Sequence, residues 1–531
     1  METSGVVLCV ALLVIFFAVM MGVGIVTRKR ATDVNGFVLG GRSVGPWLTA
    51  FAFGTSYFSA VIFVGYAGQF GWNFGLAATW AGLGNAFIGS LLAWNILGRR
   101  TRVMTQQLDA KTMPDFFGKR FNSSALKIVA SIIVFIFLIP YTASLYNGLS
   151  SLFGIAFDVP YWVIIVIMAV LTGFYVIFGG YMATAINDFI QGIIMLFGIC
   201  AVIGAVIHDN GGLLTATKSL AGISGDAGWE GAYSSFLGPD PLALLFVVIL
   251  TSLGTWGLPQ MVGKFYAIKS ENDIKKGTII STIFAIIVAG GCYFLGGFGR
   301  LYADAGIKMN PNTGKPLFDT IVPTMLSTLP TIIIAVVIVL VLSASMSTLS
   351  SLVLTSSSTL TLDVIKPASK KEMSDKKQVT IMRFFIVFFI IVSAVIAIFK
   401  DANPNVTFIA QMMGVSWGAL AGAFLAPFLY GLYWKGVTKA SCAVCYVWGC
   451  GLAVLQLYIT LAKVDLSGWG KVLQYIFKSS INSGVVAMVG GLVIVPIVSM
   501  FTKKMDKAEV DTMFDCYDAK VETVAKEQLG E

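Results

Sequence analysis

Thirteen apolar stretches recur along the chain, beginning near residues 5, 47, 74, 126, 161, 183, 241, 277, 330, 381, 406, 437 and 483. Each is long enough to cross the roughly 30 Å hydrocarbon core of a bilayer. No water reaches backbone N–H and C=O groups there, so a spanning segment must close its hydrogen bonds within itself, as a helix. The expected fold is therefore all-α and integral to the membrane, with about 13 transmembrane helices. Composition agrees: 57% of residues are hydrophobic and 12% charged, against about 25% charged in soluble domains. The first stretch, 5–26, is followed by Thr27-Arg28-Lys29-Arg30 without a small-residue cleavage pattern. It reads as a retained helix rather than a signal peptide.

Basic loops stay on the cytoplasmic side of a membrane. With the N-terminus outside, 28 of the 36 Lys and Arg residues fall in inner segments and 8 in outer ones, so the C-terminus is expected inside. That arrangement accounts for the net charge of +9 through contact with anionic lipid, without nucleic acid. The seven cysteines lack disulfide-like spacing, and the single His208 stands beside Asp209 and Asn210 at the end of a span. No nucleophile–base pair, phosphate loop or metal-ligand cluster is visible, which argues against an enzyme. The chain reads as one integral domain, 1–502, with a cytoplasmic tail at 503–531.

Asp188 is the one carboxylate well inside an apolar stretch, within Gly179-Gly180-Tyr181-Met182-Ala183-Thr184-Ala185-Ile186-Asn187-Asp188-Phe189-Ile190-Gln191. A charge at membrane depth costs roughly 2.5–3.5 kcal/mol and is kept beside a partner ion or a water-filled cavity. It marks an ion-handling protein.

Two spans carry helix-breaking sequence in their middles. The second holds Gly54-Thr55-Ser56-Tyr57-Phe58-Ser59 and the seventh Gly254-Thr255-Trp256-Gly257-Leu258-Pro259. With the second span as core helix one, the seventh becomes core helix six, its counterpart in a five-plus-five inverted repeat. Transporters built this way use the unwound carbonyls and half-helix ends for ions and solute. The ninth span contains Ser343-Ala344-Ser345-Met346-Ser347-Thr348-Leu349-Ser350-Ser351 and continues to Thr355. Ser347, Ser350, Ser351 and Thr355 share one helical face, with Thr348 beside it. Their hydroxyls are hard neutral ligands suited to Na+.

From about Val38 to Trp434 the chain resembles the sodium:solute symporter family. The resemblance rests on Leu39-Gly40-Gly41-Arg42-Ser43, Thr112-Met113-Pro114-Asp115-Phe116-Phe117, the Gly179-to-Gln191 segment and Met346-Ser347-Thr348-Leu349-Ser350. It implies a LeuT-like bundle of ten core helices at about 47–434, one extra helix before it at 5–26 and two after it at about 437–502. It implies a main sodium site of the Thr55 and Phe58 carbonyls, a carbonyl near Ala344, and the Ser347 and Thr348 hydroxyls. It also implies a possible second sodium at Asp188, Ser350 and Ser351, with a structural role for Asp188 as the alternative. Pocket candidates are Tyr57, Tyr141, Thr255, Trp256 and Gln411. Tyr57 stands where the family's proline permease is acidic, and Ile62 where its galactose transporter has an amide. These positions read against proline and against a sugar. With no Arg or Lys expected in the pocket, half-helix ends would anchor a small carboxylate or amino acid. The implied activity is Na+-coupled uptake of a small organic solute through the cell membrane by alternating access. A proton-coupled carrier, a sodium-responsive sensor without flux and a channel are the alternatives.

Overall fold

The computed structural model describes residues 3–156, 159–309, 315–369, 371–402 and 409–518. Every regular element among them is helical, apart from two isolated bridges, Val44 with Ile268 and Met309 with Pro316. Among the described residues, ten helices are long and apolar enough to cross a membrane, and eleven when Pro241–Gly257 and Pro259–Tyr266, bent by 47°, count as one span. The sequence reading expected about thirteen. Two long runs account for the difference. Tyr161–Asp209 has 49 residues and Val61–Gln107 has 47, and a straight 49-residue helix would be about 74 Å long, more than twice the bilayer core. Glycines break both. Gly180 takes φ +54°, ψ −145°, where a Cβ would meet Phe37 at 2.8 Å. At Gly75, with φ +61°, a Cβ would lie 1.9 Å from the Tyr233 carbonyl oxygen. Divided at these glycines, the runs supply the two further segments of the sequence reading.

Large apolar side chains face outward on the peripheral helices: Val7, Val14, Ile15 and Val26 on the first, with Phe197, Phe399 and Phe501 elsewhere. Such a surface is foreign to a water-soluble monomer; here it is the face that lipid solvates. The chain is a multi-pass membrane protein. Core helix eight, Thr331–Leu360, is instead buried along nearly its whole length from Ala335 to Thr359. Its many hydroxyls therefore point at protein rather than lipid.

Core helix one runs from Pro46 to Tyr57, is extended at Phe58, and resumes at Val61 with a wide, π-type turn to Tyr66. Before it, the Leu39-to-Ser43 motif makes a tight left-handed turn with φ of +57°, +69° and +54° at Gly40, Gly41 and Arg42. A non-glycine residue in that region is strained, and buried Arg42 is held there by its guanidinium. It donates to the carbonyls of Ala110 at 2.8 Å, Thr105 at 3.3 Å and Tyr266 at 3.3 Å. Beside it, Val44 N–H donates to Ala267 O at 3.0 Å and Lys269 N–H to Val44 O at 3.1 Å. The near ends of core helices one and six are thus tied together by backbone.

Towards the C-terminus, the Lys507–Phe514 helix lies against the loops at this end. Tyr517 donates to Leu432 O at 2.7 Å, and Arg99 donates to Tyr517 O at 2.9 Å. The rest of the expected tail, 519–531, lies outside the described residues.

Candidate functional site

The two interruptions have nearly the same backbone. Phe58 sits at φ −82°, ψ 115° and Leu258 at φ −88°, ψ 120°. In both cases a helical segment ends and another begins within a few residues: Pro46–Tyr57 before Val61, and Pro241–Gly257 before Pro259–Tyr266. A helix that stops leaves carbonyls at its C-terminal end without partners and carries negative potential there, while the next segment starts with positive potential.

Core helix eight meets the first of these breaks. Ser347 Oγ lies 3.2 Å from Thr55 O and 3.1 Å from Ala344 O. Thr348 Oγ1 lies 3.1 Å from Thr55 O, 3.3 Å from Phe58 O and 3.1 Å from Ala344 O. Both side chains are fully buried. Each hydroxyl owns a single proton and can donate to only one of these carbonyls. The surplus is a knot of electron-rich oxygen that a cation would satisfy. Oxygens about 2.4 Å from a hard cation and at right angles to one another would lie roughly 3.4 Å apart, close to the spacing found. The five groups expected at a main sodium site thus stand together, two from core helix one and three from core helix eight.

The second expected site looks different. Ser350 Oγ donates to Ser347 O at 2.9 Å, along its own helix. Asp188 and Ser351 face a buried lysine. Lys264 lies on the Pro259–Tyr266 half of core helix six and is 3% exposed. Its Nζ is 3.6 Å from Asp188 Oδ2 and 3.0 Å from Ser351 Oγ. Ser351 Oγ is in turn 2.8 Å from Ser56 Oγ. An ammonium group thus lies among the residues of the possible second sodium site. The signal was legible. Lys264 comes five residues after Pro259, about 7.5 Å along a helix from the break, and so at membrane depth.

A third constellation gathers beside Phe58. The rings of Tyr57 and Trp417 are 6.1 Å apart, and those of Tyr141 and Trp417 6.0 Å apart and edge-on. Asn85 neighbours the hydroxyls of both Tyr57 and Tyr293, and Ser59 neighbours that of Tyr141. Tyr57 Oη, Ser59 Oγ, Asn85 Nδ2, Tyr141 Oη, Tyr293 Oη and Trp417 Nε1 are all buried without a hydrogen-bond partner among the described residues. Such groups are costly unless something else satisfies them.

Thr255 and Trp256 are committed elsewhere. Thr255 Oγ1 lies 2.9 Å from Ser252 O and 3.2 Å from Gly89 O, and Trp256 Nε1 donates to Ile88 O at 3.0 Å. They join core helix six to core helix two and offer no free polar atom to the cluster. Gln411, on the Ile409–Tyr433 helix, is partly buried, six positions before Trp417. Sequence reasoning missed Trp417, Asn85, Ser59 and Tyr293. Of these, Asn85 and Ser59 carried a signal, as polar residues inside an apolar run and at a break.

Paired interrupted helices with a buried oxygen cluster at their crossing define a secondary transporter, in which cation binding and solute binding share one piece of unwound backbone. The chain matches the sodium:solute symporter family over residues 37–449. Over 501 residues it is 30% identical to the osmoregulated proline transporter of Bacillus subtilis, covering 93% of this chain and 95% of that one. It is 29% identical to a sodium/proline symporter of Staphylococcus aureus, covering 93% and 92%. Its fold is similar to that of a Na+-coupled sialic acid symporter solved in a substrate-bound outward-open state, with a TM-score of 0.73, 17% identity, and coverage of 94% of this chain and 99% of that one. The chain belongs to the sodium:solute symporter family and has its LeuT-like fold: it is a Na+-coupled solute transporter, not an enzyme.

Proposed function

We propose that Na+ binds among Thr55 O, Phe58 O, Ala344 O, Ser347 Oγ and Thr348 Oγ1, and that it thereby completes a solute pocket formed by Tyr57, Ser59, Asn85, Tyr141, Tyr293 and Trp417. One observation carries this: Phe58 gives its carbonyl to the oxygen cluster while its two chain neighbours, Tyr57 and Ser59, turn unpaired hydroxyls into the polar cluster. Fixing Phe58 with a cation fixes both pocket residues. The solute then binds a pre-formed site and is spared the entropy of ordering it.

The solute is a small carboxylate or amino acid. Phenol and indole donors stand at hand, and the positive end of the Pro259–Tyr266 half-helix favours negative charge. Tyr57 reads against proline at the sequence level, yet two relatives of 29% and 30% identity are named for proline transport. Proline is therefore the first solute to test.

The N-terminus faces outside and the C-terminus the cytoplasm, as the 28-to-8 division of basic residues favours. Outside Na+ and solute bind together. The inner halves of core helices one and six, tied by Val44, Ile268 and Arg42, swing as one piece. Low cytoplasmic Na+ then empties the site, and an inside-negative potential adds roughly 2.3 kcal/mol per charge per 100 mV to the driving force.

The test is solute uptake into proteoliposomes under an imposed Na+ gradient, with K+ and choline as controls, scanning proline and other small carboxylates. Uptake driven by Na+ alone is expected. Uptake that persists without Na+ and collapses with the proton gradient would favour a proton-coupled carrier. Na+ binding without any flux would favour a sensor.

A further inference from the structure

Lys264 and Asp188 form a buried ion pair where a second coupling ion would sit. Asp188 lies on core helix five, eight residues after the Gly180 break. Lys264 lies on the inner half of core helix six, which moves with core helix one if the Val44–Ile268 bridge persists. The ammonium is 3.6 Å from Asp188 Oδ2, 3.0 Å from Ser351 Oγ and 5.3 Å from the centre of the Tyr181 ring. Asp188 is 0% exposed, and neither of its oxygens has a hydrogen-bond partner among the described residues, so Lys264 is its neutralising neighbour.

We infer that Lys264 is a tethered cation that replaces a second Na+, so that the protein binds and carries one Na+ per solute. The inference rests on the main sodium site proposed above. Two features favour an ammonium over a metal ion here. A Na+ beside Asp188 would have to share the carboxylate and Ser351 Oγ with an ammonium, and two cations a few ångströms apart in a low-dielectric interior repel strongly. The chain also provides what an ammonium needs: a carboxylate, a hydroxyl and an aromatic face arranged about one Nζ. Lys264, Tyr181, Ser351 and Gln260 line a cavity of about 50 Å³ that reaches towards Lys111 and Thr112. The cavity lies on the side that the charge pattern assigns to the cytoplasm. Because the cation is covalently held, it stays in the protein when the solute leaves, and the transported charge per cycle falls by one. Lys264 acts on the ion site as a specificity-determining residue and does not touch the main site.

Equilibrium binding of 22Na+ to the purified full-length protein counts the sites directly. Wild type is expected to bind one Na+ per chain, and Ser347→Ala with Thr348→Ala to bind none. Lys264→Gln leaves Asp188 uncompensated and is expected to bind two. Adding Asp188→Asn to Lys264→Gln returns the count to one, and Lys264→Arg keeps it at one. Two sites in wild type, one of them lost in Asp188→Asn, would overturn the inference while leaving the main site standing. A single wild-type site that survives loss of Ser347 and Thr348 but not of Asp188 would overturn the main-site reading instead. If Lys264→Gln does not fold, the wild-type count and its response to Asp188→Asn still decide.

Discussion

Thr348 Oγ1 lies 3.3 Å from the carbonyl oxygen of Phe58, although the two residues are 290 positions apart. Phe58 is extended at the break between the two halves of core helix one, so this contact joins the deeply buried core helix eight to the point where core helix one is interrupted. The Phe58 N–H still closes the first half-helix on Gly54 O at 3.2 Å, while its carbonyl turns to core helix eight. The position of Phe58 follows whatever its carbonyl binds, and Tyr57 and Ser59 are carried along. Coupling in this protein is therefore a matter of one peptide's freedom rather than of a long relay.

Removing the two hydroxyls tests that idea. Ser347→Ala and Thr348→Ala leave the carbonyls of Thr55, Phe58 and Ala344 crowded without a donor or ligand opposite them. Each substitution is expected to weaken Na+ binding by about 1–3 kcal/mol, with Thr348→Ala the more severe because Thr348 reaches three carbonyls and Ser347 two. The Na+ concentration for half-maximal uptake should rise about fivefold or more per substitution. Unchanged Na+ dependence in the double variant would remove the assignment.

At the pocket, Tyr141→Phe and Thr255→Val separate the two kinds of buried hydroxyl. Tyr141 Oη has no hydrogen-bond partner among the described residues and faces the polar cluster, so its loss is expected to raise KM for the solute about five- to tenfold, the worth of one hydrogen bond, with thermal stability unchanged. Thr255 Oγ1 is engaged by Ser252 and Gly89. Its loss should lower the Tm and leave KM alone. The reverse pattern in solute uptake and thermal melts would exchange their roles.

Gly180 permits a third prediction. At φ +54° an alanine is strained by about 1–3 kcal/mol, and its Cβ would also press on Phe37 Cδ2 at 2.8 Å and Phe37 O at 2.9 Å. Phe37 is fully buried, so it cannot yield cheaply. Gly180→Ala should therefore lower the melting temperature of the detergent-solubilised protein well beyond Gly22→Ala, whose Cβ meets nothing within 4 Å.

The transmembrane class, the two breaks and the hydroxyl face of core helix eight were legible because each follows from local chemistry: apolar length, glycine and proline in mid-span, and spacing at 3.6 residues per turn. Gathering Ser347 and Thr348 with Thr55 and Phe58 needed the resemblance, since nothing local sets the packing of helices nearly 300 residues apart. Thr255 and Trp256 are pocket candidates by the resemblance, but a break has several sides, and theirs faces Ile88 and Gly89. Lys264 falls in a basic inner segment by the charge count, which says nothing of its depth. Its helix begins at Pro259 and carries it inward to Asp188. Trp417 gave no sign at all, lying within an apolar helix where an aromatic residue ordinarily means packing.

The Thr112-to-Phe117 motif yields the last prediction, on acid stability. Thr112 caps the Met113–Arg120 helix by accepting from Asp115 N–H at 3.0 Å, and its hydroxyl donates to Asp363 Oδ2 at 2.5 Å. Lys127 Nζ bridges Asp115 Oδ1 at 2.7 Å and Asp363 Oδ1 at 3.3 Å, and Lys119 adds a contact to Asp115 Oδ2 at 3.2 Å. Burial pushes the Asp115 carboxyl up, but Lys127, Lys119 and the Lys111 N–H outweigh it and hold the group below the usual carboxylate range. A carboxylate depressed in the folded state stabilises the protein fully above its unfolded pKa of about 3.9, and that contribution is lost as pH falls through the folded value. Wild type should therefore lose melting temperature below about pH 4, and Asp115→Asn should start lower at neutral pH and fall less on acidification. Neutralising Lys127 alone, as Lys127→Met, leaves Asp363 buried beside Asp115 without its cation and should cost about 3–5 kcal/mol. Adding Asp363→Asn to Lys127→Met should recover part of that loss. Purely additive melting-point shifts across this cycle would mean that the three groups do not act together.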